Sequence, residues 1–258
     1  MDPNLTTIAR AYILAGAGAI ILPVVAFFVL RRWLPLRGRI FLLGALTFFV
    51  FQMVLRLPWH GAFVRWGQAA LGPVLTLVLA SLTAALFEET GRFVAYRVAV
   101  RRPTGADTVA LGLGHGGFEA AVLIGLNLIT LGATLMVGDA VAGLLPPEAR
   151  EGLQQARDVA LHGGVLNPVL ALVERVAAMG LHVGLSILVG FAFIRRQAAW
   201  WWAAVGVHFA VNAVGTLVGH FTGNAVLTEV VLVLLAAGFL LGAVRLLPAF
   251  GAAPGTPR

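Results

Sequence analysis

Seven long apolar runs fix what this chain can fold into, because a helix needs about 20 predominantly apolar residues to cross the hydrocarbon core of a bilayer and each run supplies roughly that. They cover 8–30, 40–57, 71–98, 109–137, 166–194, 199–221 and 226–247. The third, fourth and fifth are longer than the core is thick, so they must tilt or project beyond it. Of the 258 residues 60% are hydrophobic and 11% charged, whereas soluble domains carry about 25% charged residues. The expected fold is all-α, a polytopic transmembrane bundle of about seven spans seated in a lipid bilayer. The stretches between runs leave no room for a soluble domain, so a single transmembrane domain over 1–258 is expected.

Charge and cysteine usage narrow the function. Cysteine is absent, which excludes disulfides, thiolate metal sites and a cysteine nucleophile. The net charge of +7 rests on arginine alone, and in a membrane protein such an excess marks cytoplasmic loops rather than nucleic-acid binding. Arg31, Arg32, Arg37 and Arg39 follow the first run, Arg97, Arg101 and Arg102 the third, and Arg195 and Arg196 the fifth. The other loops carry fewer, with Arg56 and Arg65 in the second. This alternation predicts the N-terminus outside and the C-terminus inside. The opening MDPNLTTIAR lacks the basic region of a cleaved signal peptide, so the first run should persist as a helix. Between 138 and 164 a Pro-Pro pair precedes a mixed-charge helical stretch, which predicts a short interfacial helix in an extracytoplasmic loop. The small-residue, Pro-containing tail at 249–258 is expected to be disordered.

The informative exceptions to apolarity are ionisable. Charged groups at bilayer depth cost several kcal/mol and persist mostly where they are paired, wet or used. Counting inward from Arg97, Glu88 is nine residues deep, and from Asp107, His115 is eight and Glu119 twelve. At a rise of about 1.5 Å per residue these are depths of roughly 14, 12 and 18 Å. His182, twelve residues from Ile194, and His208, nine residues into the sixth run, reach roughly 18 and 14 Å. Four helices thus bring polar side chains to one layer. Glu88 with Arg92, His115 with Glu119, and His208 with Asn212 are i,i+4 pairs, each lying on one helix face, and Glu89 with Arg92 is i,i+3. Such stripes are satisfied only by turning toward each other.

This constellation supports two kinds of hydrolytic chemistry. A carboxylate, an imidazole and an amide can activate water and steady an oxyanion. Histidines with a carboxylate can equally hold Zn²⁺. HExxH is absent, which excludes a zincin helix, and Ser81 and Ser186 lie in apolar surroundings with no base beside them. The competing structural readings are an ion-pair network for Glu88, Glu89 and Arg92, a hydrogen-bonded core histidine for His115, an interhelical clamp for His208 with Asn212, and a residue supporting a ligand for His182. Glu174 and Arg175 fall roughly 30 Å from the end of the fifth run and are expected as a snorkelling pair at the outer interface. His60, His162 and His220 are expected to be solvated, and Trp200, Trp201 and Trp202 to form an interfacial belt.

The order and spacing of EETGR at 88–92, GLGHGGFE at 112–119, ERVAAMGLH at 174–182 and HFAVN at 208–212 resemble the YhfC family of intramembrane metalloproteases. That family lies in the larger group of CAAX-prenyl endopeptidases, PrsW proteases and the gamma-secretase scaffolding subunit. The resemblance covers about 40–212. It implies an intramembrane endopeptidase acting on a membrane-embedded protein or peptide, with Glu88 as general base beside His115, His208 and Asn212 steadying the oxyanion, and Glu89 with Arg92 holding the site together. The chain has EExxR where the CAAX endopeptidases have three residues before the arginine. His182 and Glu119 belong to the YhfC-like pattern and imply a metal site, with zinc as the candidate ion and His115, Glu119, His182 and His208 as its ligands. Two other classes compete: a non-catalytic scaffold that binds partner helices through the polar groove, and a proton-coupled transporter, which would bring inverted repeats that the sequence lacks.

Overall fold

A computed structural model describes residues 3–143 and 145–251 of the chain. Helix α1 (Pro3–Leu30) is followed by α2 (Gly38–Phe48), which runs through a π turn, Phe49–Arg56, into α3 (Leu57–Ala70). Helix α4 (Pro73–Ala95) ends in a π turn at Tyr96–Val100, and α5 (Gly105–Glu119) passes through a third, Ala120–Gly125, into α6 (Leu126–Ala142). Then come α7 (Pro147–Gly163), α8 (Leu166–Arg195), α9 (Ala198–Thr222) and α10 (Ala225–Ala243), which closes in a 3-10 turn at Val244–Phe250. Seven helical stretches among the described residues are long and apolar enough to span a membrane, and no strand occurs there. The protein is an all-α, multi-pass integral membrane protein.

Six of the seven spans lie close to their expected bounds, and the second does not. Instead of stopping at Leu57 it continues to Ala70, because Pro58 sits in the first turn of α3, where a missing N–H breaks no helical bond. Arg56, expected in a loop, is therefore inside a helix and buried. It donates to the Ala80 carbonyl (2.9 Å), Thr83 Oγ1 (3.1 Å) and Gln52 Oε1 (3.2 Å). His60 on α3 is half-buried rather than solvated and stands 3.3 Å from Arg56, while His162 and His220 are exposed.

Helix α8 is the central post. About 72% of its apolar window is buried, against 11% for α10, and its inward face from Leu181 to Ala192 is continuous core. Helix α5 packs on one side of it, α9 and α10 on others. At the arginine-rich end Arg37 Nε donates to Asp107 Oδ1 (2.6 Å), and Thr104 with Asp107 forms a capping box that starts α5. That bond ties the first arginine-bearing loop to the helix carrying His115. Phe250 packs near Phe191 at the same end. Of the tail expected to be disordered from 249, Ala249 and Phe250 belong instead to the closing 3-10 turn; residues 252–258 lie outside the described residues. The 138–164 segment contains α7, whose Ala160 is buried against Leu5, Ile8, Ala9, Tyr12 and Leu135.

Two glycines set the spacing of α2 and α5. A methyl group on Gly114 would overlap the Phe41 carbonyl, and one on Gly44 the Leu111 carbonyl. Small residues allow this backbone approach in lipid, and one turn beyond Gly44 it brings Thr47 against His115. Gly114→Ala should lower stability by about 1–3 kcal/mol, the usual cost of overpacking. Gly206→Ala, where the space is open, should not. Thermal unfolding of the two variants in detergent checks this, and equal melting temperatures would contradict the tight crossing.

Candidate active site

The described structure brings Glu88, Glu89, Arg92, His115, Glu119, His182 and His208 into one buried cluster drawn from α4, α5, α8 and α9. Its centre is Glu88 Oε2. His115 Nε2 stands 2.9 Å from that atom, Arg92 Nη2 3.8 Å, His208 Nε2 3.9 Å and His182 Nδ1 4.0 Å. The other oxygen, Oε1, accepts from Gln52 Nε2 at 2.6 Å. Gln52 is in turn held by Arg56, so the π turn of the second span orients the central carboxylate.

Hydrogen bonds on the far side of each ring decide which nitrogen faces Glu88. The Thr47 hydroxyl donates to the Gly44 carbonyl (2.6 Å), which leaves its oxygen to accept from His115 Nδ1–H (2.9 Å). His208 Nδ1–H donates to Glu89 Oε1 (2.7 Å). His182 Nε2–H donates to Glu119 Oε2 (2.6 Å), while its Nδ1 accepts from Arg92 Nη2 (2.6 Å). A neutral imidazole with one nitrogen protonated presents a lone pair at the other. The other nitrogens of His115 and His208 face the Glu88 carboxylate, while the His182 Nδ1 lone pair is taken by Arg92. At 2.9 Å the contact between His115 Nε2 and Glu88 Oε2 needs a proton or a cation between two electron-rich atoms.

Such a donor set suits a metal ion. Glu88, His115 and His182 offer ligand atoms that all lie within 4.8 Å of one another, so this group could hold one. One carboxylate and two imidazoles match the three-ligand sets of catalytic zinc, and Glu119 behind His182 is the kind of carboxylate that fixes a ligating ring. An ion at His182 Nδ1 would displace the Arg92 guanidinium from that nitrogen. The sequence grouped His115, Glu119, His182 and His208 as ligands. The geometry instead puts Glu88 beside His115 and His182, with Glu119 one bond further out. His208 Nε2 approaches Glu88 but falls outside the close group.

Glu89 and Arg92 are fully buried and ion-paired to each other, behind Glu88. Asn212 lines a cavity of about 140 Å³ that also exposes Gln52, Glu88, Glu119, Arg175, His182 and His208. At about 10–15 Å³ per water this space holds several molecules. His115 does not border it and touches the cavity only through Glu88. Arg175 corrects the sequence reading: it is buried, pairs with Glu119 (2.8 Å) and Glu174, and borders the cavity rather than snorkelling outward. Two further residues went unread in the sequence. Thr47 and Gln52 were visible only as polar interruptions of the second apolar run, five residues apart.

An uncharacterized membrane protein, YhfC, of Bacillus subtilis (strain 168) is 29% identical over 233 residues, covering 87% of this chain and 90% of the relative. No solved structure matches. The family described as YhfC intramembrane metalloprotease matches residues 18–232, a span that contains every residue of the buried cluster, and the chain belongs to that family.

Proposed function

We propose that this protein is an intramembrane endopeptidase that hydrolyses a peptide bond of a membrane-embedded substrate. The observation that carries the reading is Glu88, lining a cavity large enough for several waters and surrounded by the imidazoles of His115, His182 and His208. Water in the cavity is within reach of that oxygen, which takes its proton as attack begins. His115 Nε2, 2.9 Å away, shares the proton and keeps it out of the cavity until the leaving amine needs it. Asn212 offers an amide N–H to the developing oxyanion. Glu89 and Arg92 hold His208 and His182 in their tautomers. If zinc took the place of that shared proton, Glu88, His115 and His182 would hold it, and it would supply Lewis acidity at the scissile carbonyl and ease deprotonation of water.

The arginine-rich loops belong in the cytoplasm on the positive-inside rule, which puts the N-terminus outside and the cavity's Glu88 end toward the inner leaflet. A scaffold that binds partner helices without cutting them is the rival reading, and normal cellular function of a Glu88→Gln strain is its signature.

Removal of the base should lower cleavage by about 10²–10⁴-fold. Glu88→Gln and His115→Ala are therefore expected to abolish detectable processing of membrane peptides while both proteins still insert into the membrane. Full activity in either purified variant would end the hydrolytic reading. Metal analysis of protein purified without added metal should find about one zinc per chain, lost in His182→Ala, and Glu119→Gln should weaken retention by about 10–100-fold; a metal-free preparation with undiminished activity would exclude the zinc. A green fluorescent protein fused at the C-terminus should fluoresce and an alkaline phosphatase fused there should be inactive. The reverse pattern would invert the orientation.

A further inference from the structure

The polar cavity has an apolar neighbour. A groove of about 380 Å³ runs between α8 and α10, lined by Val173, Val176 and Gly180 on one helix and Val233, Ala237 and Leu240 on the other. Val173, Val176 and Ala237 are exposed on the face that lipid would cover. Ala177 and Ala236 line both the groove and the cavity that holds Glu88. At this seam the methyl side chains of Ala177 and Ala236 form the wall that the two spaces share.

Size and polarity say what could occupy the two spaces together. A helix with side chains is about 10–12 Å across, too wide for a cavity of about 140 Å³, so only an unwound stretch of backbone can reach Glu88. The groove is larger, and its small residues, Gly180 and Ala237, allow close packing of an apolar segment. The cavity also carries a hydrogen-bonding group: the Asn212 side-chain amide, which lines it, is hydrogen-bonded to none of the described residues. A peptide brings carbonyls and N–H groups to such a site, whereas an acyl chain brings neither.

We propose that the groove between α8 and α10 is the docking site for the apolar flank of a transmembrane peptide, whose unwound stretch passes between Ala177 and Ala236 into the cavity. The fate of the bond rests on the hydrolytic reading above; the docking does not. Asn212 engages the unwound backbone, and the flank remains in the groove in place of lipid.

The test uses Glu88→Gln protein in nanodiscs and a Leu/Ala-rich transmembrane peptide with a benzophenone side chain near its centre. Photo-adducts should map to 173–180 and 233–240. Ala177→Phe, which fills the seam, should lower their yield at least about fivefold, a loss of about 1 kcal/mol in binding. Leu241→Phe on an exposed face of α10 should leave it unchanged. Because the chain has no cysteine, Val176→Cys gives a second readout in a fold that Ala177→Phe has not disturbed: the peptide should slow its maleimide labelling to a similar degree. Adducts elsewhere, an unprotected Val176→Cys, displacement of the peptide by a photoreactive phospholipid that labels the same residues, or adducts only between copies of this chain would each overturn the proposal. Adducts in the groove with no cleavage by the parent protein would sink the hydrolytic reading and leave the docking site standing. Cleavage with no adducts in the groove would do the opposite.

Discussion

Glu88 and Glu89 can occupy a membrane-spanning helix only because Arg92, His115, His208 and Gln52 meet them from their own and neighbouring helices. A carboxylate taken out of water costs several kcal/mol, and a pair of them on adjacent residues costs more unless opposite charge and hydrogen bonds surround both. That requirement fixes much else. Helix α5 must come close enough for His115 to touch Glu88, which demands the glycine crossing with α2. Helix α9 must turn His208 inward toward Glu89, and α8 must present His182 between Arg92 and Glu119. Removing one partner of such a network is expected to cost more than the pair contributes, because it leaves a bare charge behind. The cluster is therefore weak evidence of stabilisation and stronger evidence of a use for the charges.

The bundle and its polar layer were legible from the sequence for a simple reason. Apolar run length reports spans directly, and ionisable residues inside those runs have nowhere to go but inward. Glu88, Glu89, Arg92, His115, His182 and His208 meet as their depths suggested. What escaped was local. Depth counting treats every helix as regular, yet spans two, three and four each contain a π turn, and such wide turns change which face a later residue occupies. Gln52 lies within one of them and Glu119 precedes another. The second run was expected to end at Leu57, where the helix instead passes through Pro58 to Ala70.

Arg175 failed for a different reason. The sequence argument gave the polar layer a single depth, and anything beyond it was assigned to the interface. The cavity instead extends along α8 by about two turns, from His182 to Arg175, with Glu119 joining both ends. A layer of one depth would serve to satisfy charges alone. An elongated polar channel with a carboxylate at its inner wall and a buried guanidinium further along it is longer than pairing requires.

The fixed tautomers bear on the same point. In a network whose task was only to neutralise Glu88, the imidazoles would gain most by pointing N–H groups at it. Here Thr47, Glu119 and Glu89 draw the N–H of each ring outward, leaving the lone pairs of His115 and His208 directed at a negatively charged oxygen and that of His182 at Arg92. That arrangement is electrostatically unfavourable on its own and becomes favourable once a proton or a divalent cation lies among the four groups. The surroundings of Glu88 are thus built for a positive charge that this chain's own side chains supply only in part, through an Arg92 already paired with Glu89. Four helices converge to keep that position electron-rich inside lipid, and the same convergence leaves the cavity through which water and a peptide bond could reach it.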